Sequence, residues 1–245
     1  MNIVPIHLLT VDSTSTWARE NYSHFDWNKI TRITADVQTQ GRGRFDRHWL
    51  SPKGENLYIT YFFTTKKNLH SLSNLSQIFC LSVVKLLCEK DLSPKIKWPN
   101  DILVNERKIS GVMCEVIDLR GIYGIFVGIG INVNMSQKNL DLIDQPATSF
   151  LREKGRLFLL TPLLTLLDQF FIEDLTLYQK EGFQPFYRTY NAFLICKKQR
   201  VTLHQDKKIL TGIFHSLNPD GSLNLMLDSK EIKTITTTDR ISLEQ

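Results

Sequence analysis

Four clusters of residues carry side chains that could do chemistry. The first is Gln40-Gly41-Arg42-Gly43-Arg44, followed by Arg47-His48-Trp49 and Ser51-Pro52-Lys53-Gly54. Two glycines let backbone N–H groups come close to a ligand. The interleaved arginines offer forked donors for carboxylate and phosphate oxygens, and Trp49 adds a flat face for a ring. Together they suit an anionic ligand with an aromatic part, such as a nucleotide. A flexible basic loop or a nucleic-acid contact would share this composition. The stretch is not a P-loop, because no G-x-x-x-x-G-K-[ST] is present. It is not the dinucleotide fingerprint, whose spacing and following helix are missing.

The second cluster, Lys97-Trp98-Pro99-Asn100-Asp101-Ile102, packs a lysine, an amide and a carboxylate around a proline-stiffened turn. Asp101 is a candidate magnesium ligand, and Asn100 a donor to a phosphate or a purine edge. A tight turn whose Asn and Asp satisfy their own backbone is the plainer reading. The third is Lys108-Ile109-Ser110-Gly111, with Glu115 further along: a lysine just before a strand, placed to pin a phosphate or carboxylate, or simply solvated. The fourth is Gly128-Ile129-Gly130-Ile131-Asn132-Val133-Asn134. Alternate glycines strip one face of a strand and leave room for a ligand, or mark a bulge or barrel corner.

The elements that must position these clusters are legible from periodicity. The chain has 245 residues, 42% hydrophobic and 22% charged, enough for one sizeable core or a core with a small satellite. No apolar run reaches the roughly 18 residues of a membrane span, and Met1 to Val11 lacks a secretory pattern, so the expected location is the cytoplasm. The four cysteines show no C-x-x-C spacing and the six histidines no H-x-x-x-H pair, which gives redox-motif and zinc readings no support. Cys80 and Cys88 read as reduced core residues. The net charge of +5 permits an anionic partner without requiring nucleic acid.

Asp12 to Thr16 read as an N-cap ahead of Trp17. Strands are expected over 30–37 and 57–64, with the basic loop of 38–54 between them. Leu72, Leu75, Ile78, Phe79, Val83, Leu86 and Leu87 recur at helical spacing. Short strands over 96–98 and 102–105 flank Pro99-Asn100-Asp101. Glu106-Arg107-Lys108 reads as a turn into a strand over 109–117, Gly121 as a break, and 125–133 as the next strand. Thr161-Pro162 opens a helix with proline at its first position, and 186–193 continues helical. From about Lys197 the pattern changes to short alternating segments, 201–204, 209–214, 223–227 and 232–236. Turns at Asp206-Lys207-Lys208, Asn218-Pro219-Asp220-Gly221 and Asp228-Ser229 separate them, which suggests a small SH3-like β module.

In this order, the four clusters resemble the catalytic domain of the biotin–protein ligase family. The resemblance runs in motif detail from Asp12 to about Asn134 and more loosely through the C-terminal module. It implies an α+β fold with a mixed, largely antiparallel sheet and packed helices over residues 1–196, and an SH3-like β barrel over 197–245. By the same resemblance, Ser13, Thr14, Ser15 and Gln38 bind biotin, with Ser15 standing where the family has asparagine. Gly41, Arg42, Gly43 and Arg44 match the loop that closes over biotin and the adenylate. The family continues there with Arg-Gly, and this chain with Phe45-Asp46. Lys108 would meet the biotin carboxylate and the α-phosphate. Gly111 and Gly128 would line the biotin pocket, while Arg47, Trp49, Lys97, Asn100 and Asn132 would contact ATP or the adenylate. Arg42, Arg44 and Lys108 are the catalytic candidates, and Asp101 is the magnesium candidate.

The implied reaction uses ATP and magnesium to convert biotin into biotinoyl-AMP with release of pyrophosphate. The acyl group then passes to a lysine of a biotin carboxyl carrier protein or domain, as in acetyl-CoA carboxylase, and AMP leaves. With the Ser-Thr segment beginning at residue 13, no DNA-binding domain and no operator binding are expected. Similar enzymes include monomers and homodimers. Two other readings stay open: a lipoate or octanoate ligase of the sister family, which Gln38 and the K-W-P-N-D-I block disfavour, and a non-catalytic nucleotide-binding module.

Overall fold

Alternating side chains build two sheets in the computed structural model, which describes residues 2–67, 71–205 and 208–243. The larger has seven strands: β1 (Ile3–Val11), β2 (Ile30–Gln38), β3 (Leu57–Lys66), β4 (Pro94–Lys97), β5 (Asp101–Val104), β6 (Arg107–Asp118) and β7 (Ile122–Ile131). Their spatial order is β1-β2-β3-β7-β6-β5-β4. Only β1 and β2 run parallel; the other neighbours are antiparallel. The mixed, largely antiparallel sheet is the one the sequence implied, with β1 added at one edge.

The period of two along β3 explains how this sheet is covered on both faces. Leu57, Ile59, Tyr61 and Phe63 face the main core, while Phe62 faces a second cluster with Ala18, Ile33 and Phe126. The main core is roofed by α2 (Leu75–Cys88), α5 (Leu160–Glu181) and α6 (Gln184–Phe193). Phe171 of α5 stacks on Tyr61 at 3.9 Å and on Phe79 at 4.2 Å between ring centroids. The opposite face carries α1 (Thr14–Asn21), and α3 (Gln137–Leu140) and α4 (Phe150–Lys154) are single short turns after β7.

Local chemistry moves several expected boundaries. Ser13 is the N-cap, accepting from the Ser15 amide at 3.3 Å, so α1 begins at Thr14 rather than after Thr16. Asn105 and Glu106 both take positive φ (48° and 62°) and form the two-residue turn between β5 and β6. That places Lys108 inside β6 and not in the turn before it. Pro162 is the third helical residue of α5 and not the first; the first four helix N–H groups lack intrahelical partners, so proline costs nothing there. Cys80 is buried as expected, but Cys88, at the end of α2, is exposed.

The second sheet comprises β8 (Arg200–Gln205), β9 (Lys208–Leu217), β10 (Leu223–Met226), β11 (Ile232–Ile235) and β12 (Arg240–Leu243), in the order β11-β10-β9-β8-β12. All pairs are antiparallel, as expected of an SH3-like module; β12 was not foreseen. Asp206 and Lys207, expected in a turn, lie outside the described residues. This sheet is docked on the larger unit by its Asn218–Ser222 turn. The Gly221 carbonyl accepts from Gln77 Nε2 at 2.8 Å and from the indole N–H of buried Trp98 at 3.1 Å. The Asp220 carbonyl accepts from Asn74 Nδ2 at 2.6 Å. Among the described residues, no helix is long and apolar enough to cross a membrane.

Candidate functional site

Two adjoining cavities open where the glycine–arginine loop crosses the sheet. The smaller, about 60 Å³, is walled by β6, β7 and the start of α1. The larger, about 350 Å³, lies between the loop, the 97–101 segment, residues 142–147 and residues 238–241 of the second sheet. Gly43, Arg44, Trp49, Asn100 and Lys108 line both.

The smaller cavity has a polar end and slender walls. At the end of β2, Gln38 Oε1 accepts from the Thr14 amide at 2.9 Å and from its hydroxyl at 3.1 Å. Gln38 Nε2 donates to Ser51 Oγ at 2.9 Å. Thr60 Oγ1 donates to Thr14 Oγ1 at 2.9 Å and lies 3.0 Å from Ser15 Oγ. These groups are buried and mutually satisfied, so they form a rigid polar floor. The walls are thinned by glycine: Gly111 of β6 sits opposite Gly130 of β7, and Met113 opposite Gly128. A Cβ on Gly130 would lie 2.5 Å from Trp49 Cε2, and one on Gly128 2.9 Å from Ser15 Oγ. Trp49 therefore lies flat on a strand stripped of side chains.

The loop is held in a hairpin-like turn. Arg42 and His48 form a β-bridge, the Gly43 amide donates to the Arg47 carbonyl at 2.7 Å, and the Trp49 amide donates to the Gly41 carbonyl at 2.8 Å. Phe45 takes a left-handed conformation at φ 55° and is exposed. Arg44 donates to Asn100 Oδ1 at 3.1 Å and to Thr237 Oγ1 at 2.9 Å. Arg47 donates to the Asp239 carbonyl at 2.8 Å. Across the seam, Lys108 Nζ is 2.7 Å from Asp101 Oδ1 and 5.5 Å from the Trp49 ring centroid.

The electrostatics favour an anion. Burial lowers the pKa of both the Arg44 guanidinium and the Lys97 ammonium, against the opposing pull of Asp101. Cations desolvated in this way are stabilised when a phosphate or carboxylate arrives. Among the described residues, no three His, Cys, Asp or Glu side chains group to hold a metal. Asp101 offers a single carboxylate with one oxygen already on Lys108. That suits a magnesium ion whose other oxygens come from a triphosphate, since such ions are held by one or two carboxylates plus substrate. A built cation cage it is not.

Residues 8–132 match the model of the Biotin/lipoate A/B protein ligase family. The chain belongs to this family. Its relatives include the bifunctional ligase/repressor BirA of Escherichia coli, 28% identical over 79% of this chain and 61% of that protein. Biotin--protein ligase 1 of Arabidopsis thaliana is 33% identical over 52% of this chain and 35% of its own length. The matched stretches thus leave a third or more of these relatives' length unmatched. A solved structure of the Aquifex aeolicus biotin protein ligase with biotin and ATP superposes with a TM-score of 0.82, at 28% identity, covering 98% of each chain.

For this member of the family, the cavities collect most of the residues singled out in the sequence. Ser13, Thr14, Ser15, Gln38, Arg42, Gly111 and Gly128 line the smaller one, and Arg47, Lys97, Asp101 and Asn132 the larger. Asn132 Nδ2 is committed to the Thr148 carbonyl at 3.0 Å, which fixes the loop after β7. Gly41 lines neither cavity; it is buried at the foot of the loop, where a Cβ would lie 2.6 Å from Ser51 Oγ. Sequence reasoning missed Thr60, Met113, residues 142–147 and residues 238–241. Thr60 and Met113 could have been found from the alternation of β3 and β6 once those strands were paired. The other two segments carry no local signal.

Proposed function

We propose that the chain is a biotin–protein ligase that joins biotin to ATP as biotinoyl-AMP and transfers the acyl group to a lysine of a biotin carboxyl carrier protein or domain. The observation that carries this reading is the shared wall. Lys108, Arg44, Trp49 and Asn100 face both a narrow, polar-floored pocket and a nucleotide-sized cavity. An acid in the first and a nucleotide in the second would meet at cations. The bound biotin and ATP of the similar Aquifex aeolicus enzyme support the same pair of ligands.

In this reading Ser13, Thr14, Ser15 and Gln38 receive the polar ring of biotin, with Gly111, Gly128 and Gly130 leaving space along it. A carboxylate is a poor acyl donor. One of its oxygens attacks the α-phosphorus of ATP, the bond to the β-phosphate bridge breaks, and pyrophosphate leaves. Lys108, Arg42 and Arg44 offset the repulsion between carboxylate and triphosphate and align them. Arg47, Lys97, Asn100 and Asn132 hold the nucleotide side. Magnesium, held by Asp101 and phosphate oxygens, would supply further charge neutralisation. The acceptor lysine amine then attacks the acyl carbon, and AMP departs with the bonding electrons. Because the adenylate is sensitive to water, the 41–47 loop serves to exclude it.

We assign the catalytic unit to residues 1–196 and the accessory SH3-like unit to 197–245, with the cytoplasm as the compartment. The proposal gives these residues no role in binding operator DNA. The test is pyrophosphate release by the purified chain with ATP, magnesium and biotin, lipoate or octanoate, with mass spectrometry for the adenylate. Biotin-dependent release with biotinoyl-AMP supports the reading. Release with lipoate or octanoate alone moves the chain to the sister branch of the family. No release from a folded sample that binds ATP favours a binding module.

A further inference from the structure

Beside Arg42, which lines the smaller cavity, stands a carboxylate that the reaction above does not use. Glu115 follows Gly111 and Met113 on β6 at two-residue spacing, so it shares their face. Its Oε1 accepts from Arg19 Nη1 at 2.8 Å, and Arg19 lies one helical turn beyond Ser15 on α1. Arg42 Nη2, from the glycine–arginine loop, is 3.9 Å from the same oxygen, at the limit of ion-pair range. The second oxygen, Oε2, is buried and has no hydrogen-bond partner. The Glu115 side chain is 21% exposed, and those of Arg19 and Arg42 are 45% and 36% exposed. Glu115 thus joins three of the elements that line the acid pocket: α1, β6 and the loop.

A buried carboxylate oxygen left unbonded favours any motion that brings a donor to it. A guanidinium is built to engage both oxygens of a carboxylate at once. Arg42 Nη2 stands 3.9 Å from Oε1, so a shift of about an ångström would seat it on this carboxylate, beside the unbonded oxygen. A seated Arg42 would tie the loop, whose backbone is bridged at Arg42 and His48, to β6.

We propose that Glu115 is a positioning residue, the latch on which Arg42 closes when the 41–47 loop folds over the bound acid. Resting on the ligase reading above, the latch acts on retention of the adenylate, after Arg42 has helped to align the acid and ATP. Glu115 touches no reacting atom. Its effect is on how long the loop stays shut.

The experiment is limited trypsin cleavage within residues 42–47, followed by mass spectrometry, for the full chain with and without biotin, ATP and magnesium. It compares wild type, Glu115→Gln and Arg19→Ala. Wild type is expected to become protected by the ligands. Glu115→Gln is expected to be cut about fivefold faster than wild type when liganded, the scale of one ion pair, and at the same rate when free. It is also expected to release more pyrophosphate per turnover of acceptor, because adenylate escapes. Arg19→Ala removes the competing partner and is expected to stay protected. Equal protection of wild type and Glu115→Gln overturns the latch. Loss of protection in Arg19→Ala equal to that in Glu115→Gln also overturns it, because Glu115 would then be a structural staple between α1 and β6. Protection of wild type by lipoate or octanoate with ATP, but not by biotin, overturns the substrate assignment and leaves the latch standing. No protection by any of the acids removes both.

Discussion

Lys108 folds back over Gly111 to reach Asp101. In the pairing of β5 with β6, Asp101 lies opposite Gly111, and an irregularity between Ile102 and Leu103 inserts Ile109 as an extra residue on β6. A Cβ on Gly111 would lie 3.3 Å from Lys108 Cε and 3.4 Å from its Nζ. The missing side chain thus gives the lysine its path, and the bulge gives it its direction. The ammonium group ends at the seam of the two cavities.

Replacing that lysine separates chemistry from folding. Lys108→Ala is expected to reduce biotin-dependent pyrophosphate release by about 10²- to 10³-fold, the cost of losing one fixed charge at a developing anion. The Lys108–Asp101 pair is partly exposed, so the melting temperature is expected to move by less than about 4 °C. Near-normal turnover would remove Lys108 from the catalytic set.

Gly130→Ala tests the stripped strand. The new methyl would sit 2.5 Å from Trp49 Cε2, so the indole must leave β7. Overpacking of this kind costs about 1–3 kcal/mol, and the methyl also occupies the space into which the acid enters. The expected result is a rise in KM for biotin of at least roughly tenfold, with KM for ATP changed less, read by steady-state kinetics. Unchanged biotin kinetics would place the acid elsewhere.

Gly221→Ala tests the docking of the second sheet. Gly221 has φ 79°, and a Cβ there would collide with Asn74 Nδ2 and Gln77 Oε1. The turn must shift, and the indole of Trp98 loses its acceptor. We expect a loss of about 1–3 kcal/mol in stability, seen by denaturant titration. Because Trp98 sits between Lys97 and the Asn100-Asp101 pair, we also expect a higher KM for ATP with little change for biotin. Equal effects on both substrates would show general damage.

Asp174 links α5 to α2, accepting from Lys85 Nζ at 2.5 Å and from Ser82 Oγ at 2.7 Å. Burial raises its pKa above the ordinary carboxylate range, outweighing both donors. A carboxyl whose folded pKa is raised contributes titration-linked stability at low pH and loses it as pH rises through the folded value. Asp174→Asn cannot titrate. Its stability deficit against wild type is therefore expected to be larger near pH 4 than near pH 7, as measured by thermal melts at both. A deficit that grows with pH would reverse the sign assigned to this group.

Legibility in the sequence follows the range of the interactions. The spacing of Leu72 to Leu87 gave α2 because its burial is decided by its own neighbours. The alternate glycines of β7 carried their meaning openly, and so did the clustered arginines. By contrast, β1 is silent: its alternation is weak, and its place comes from parallel pairing with β2. The Asn105-Glu106 turn was displaced by one residue because two left-handed conformations are invisible without the strand register. Gly41 reads as a hinge from composition, yet it packs against Ser51 and Trp49. The 238–241 segment reaches the larger cavity from a part of the chain with no motif of its own.

That last segment makes the larger cavity a late product of folding. Arg44 bonds Thr237 across 193 positions, and Arg47 bonds Asp239 across 192. Contacts of such separation form after local structure during folding, and a chain emerging from the ribosome can make them only once its distal part is free. A nascent chain can therefore pair its large sheet, and with it the walls of the smaller cavity, while the larger cavity still lacks one side. The larger cavity is then completed after the sheet beside it, and a chain halted before residue 237 would lack the partners of Arg44 and Arg47 that close it.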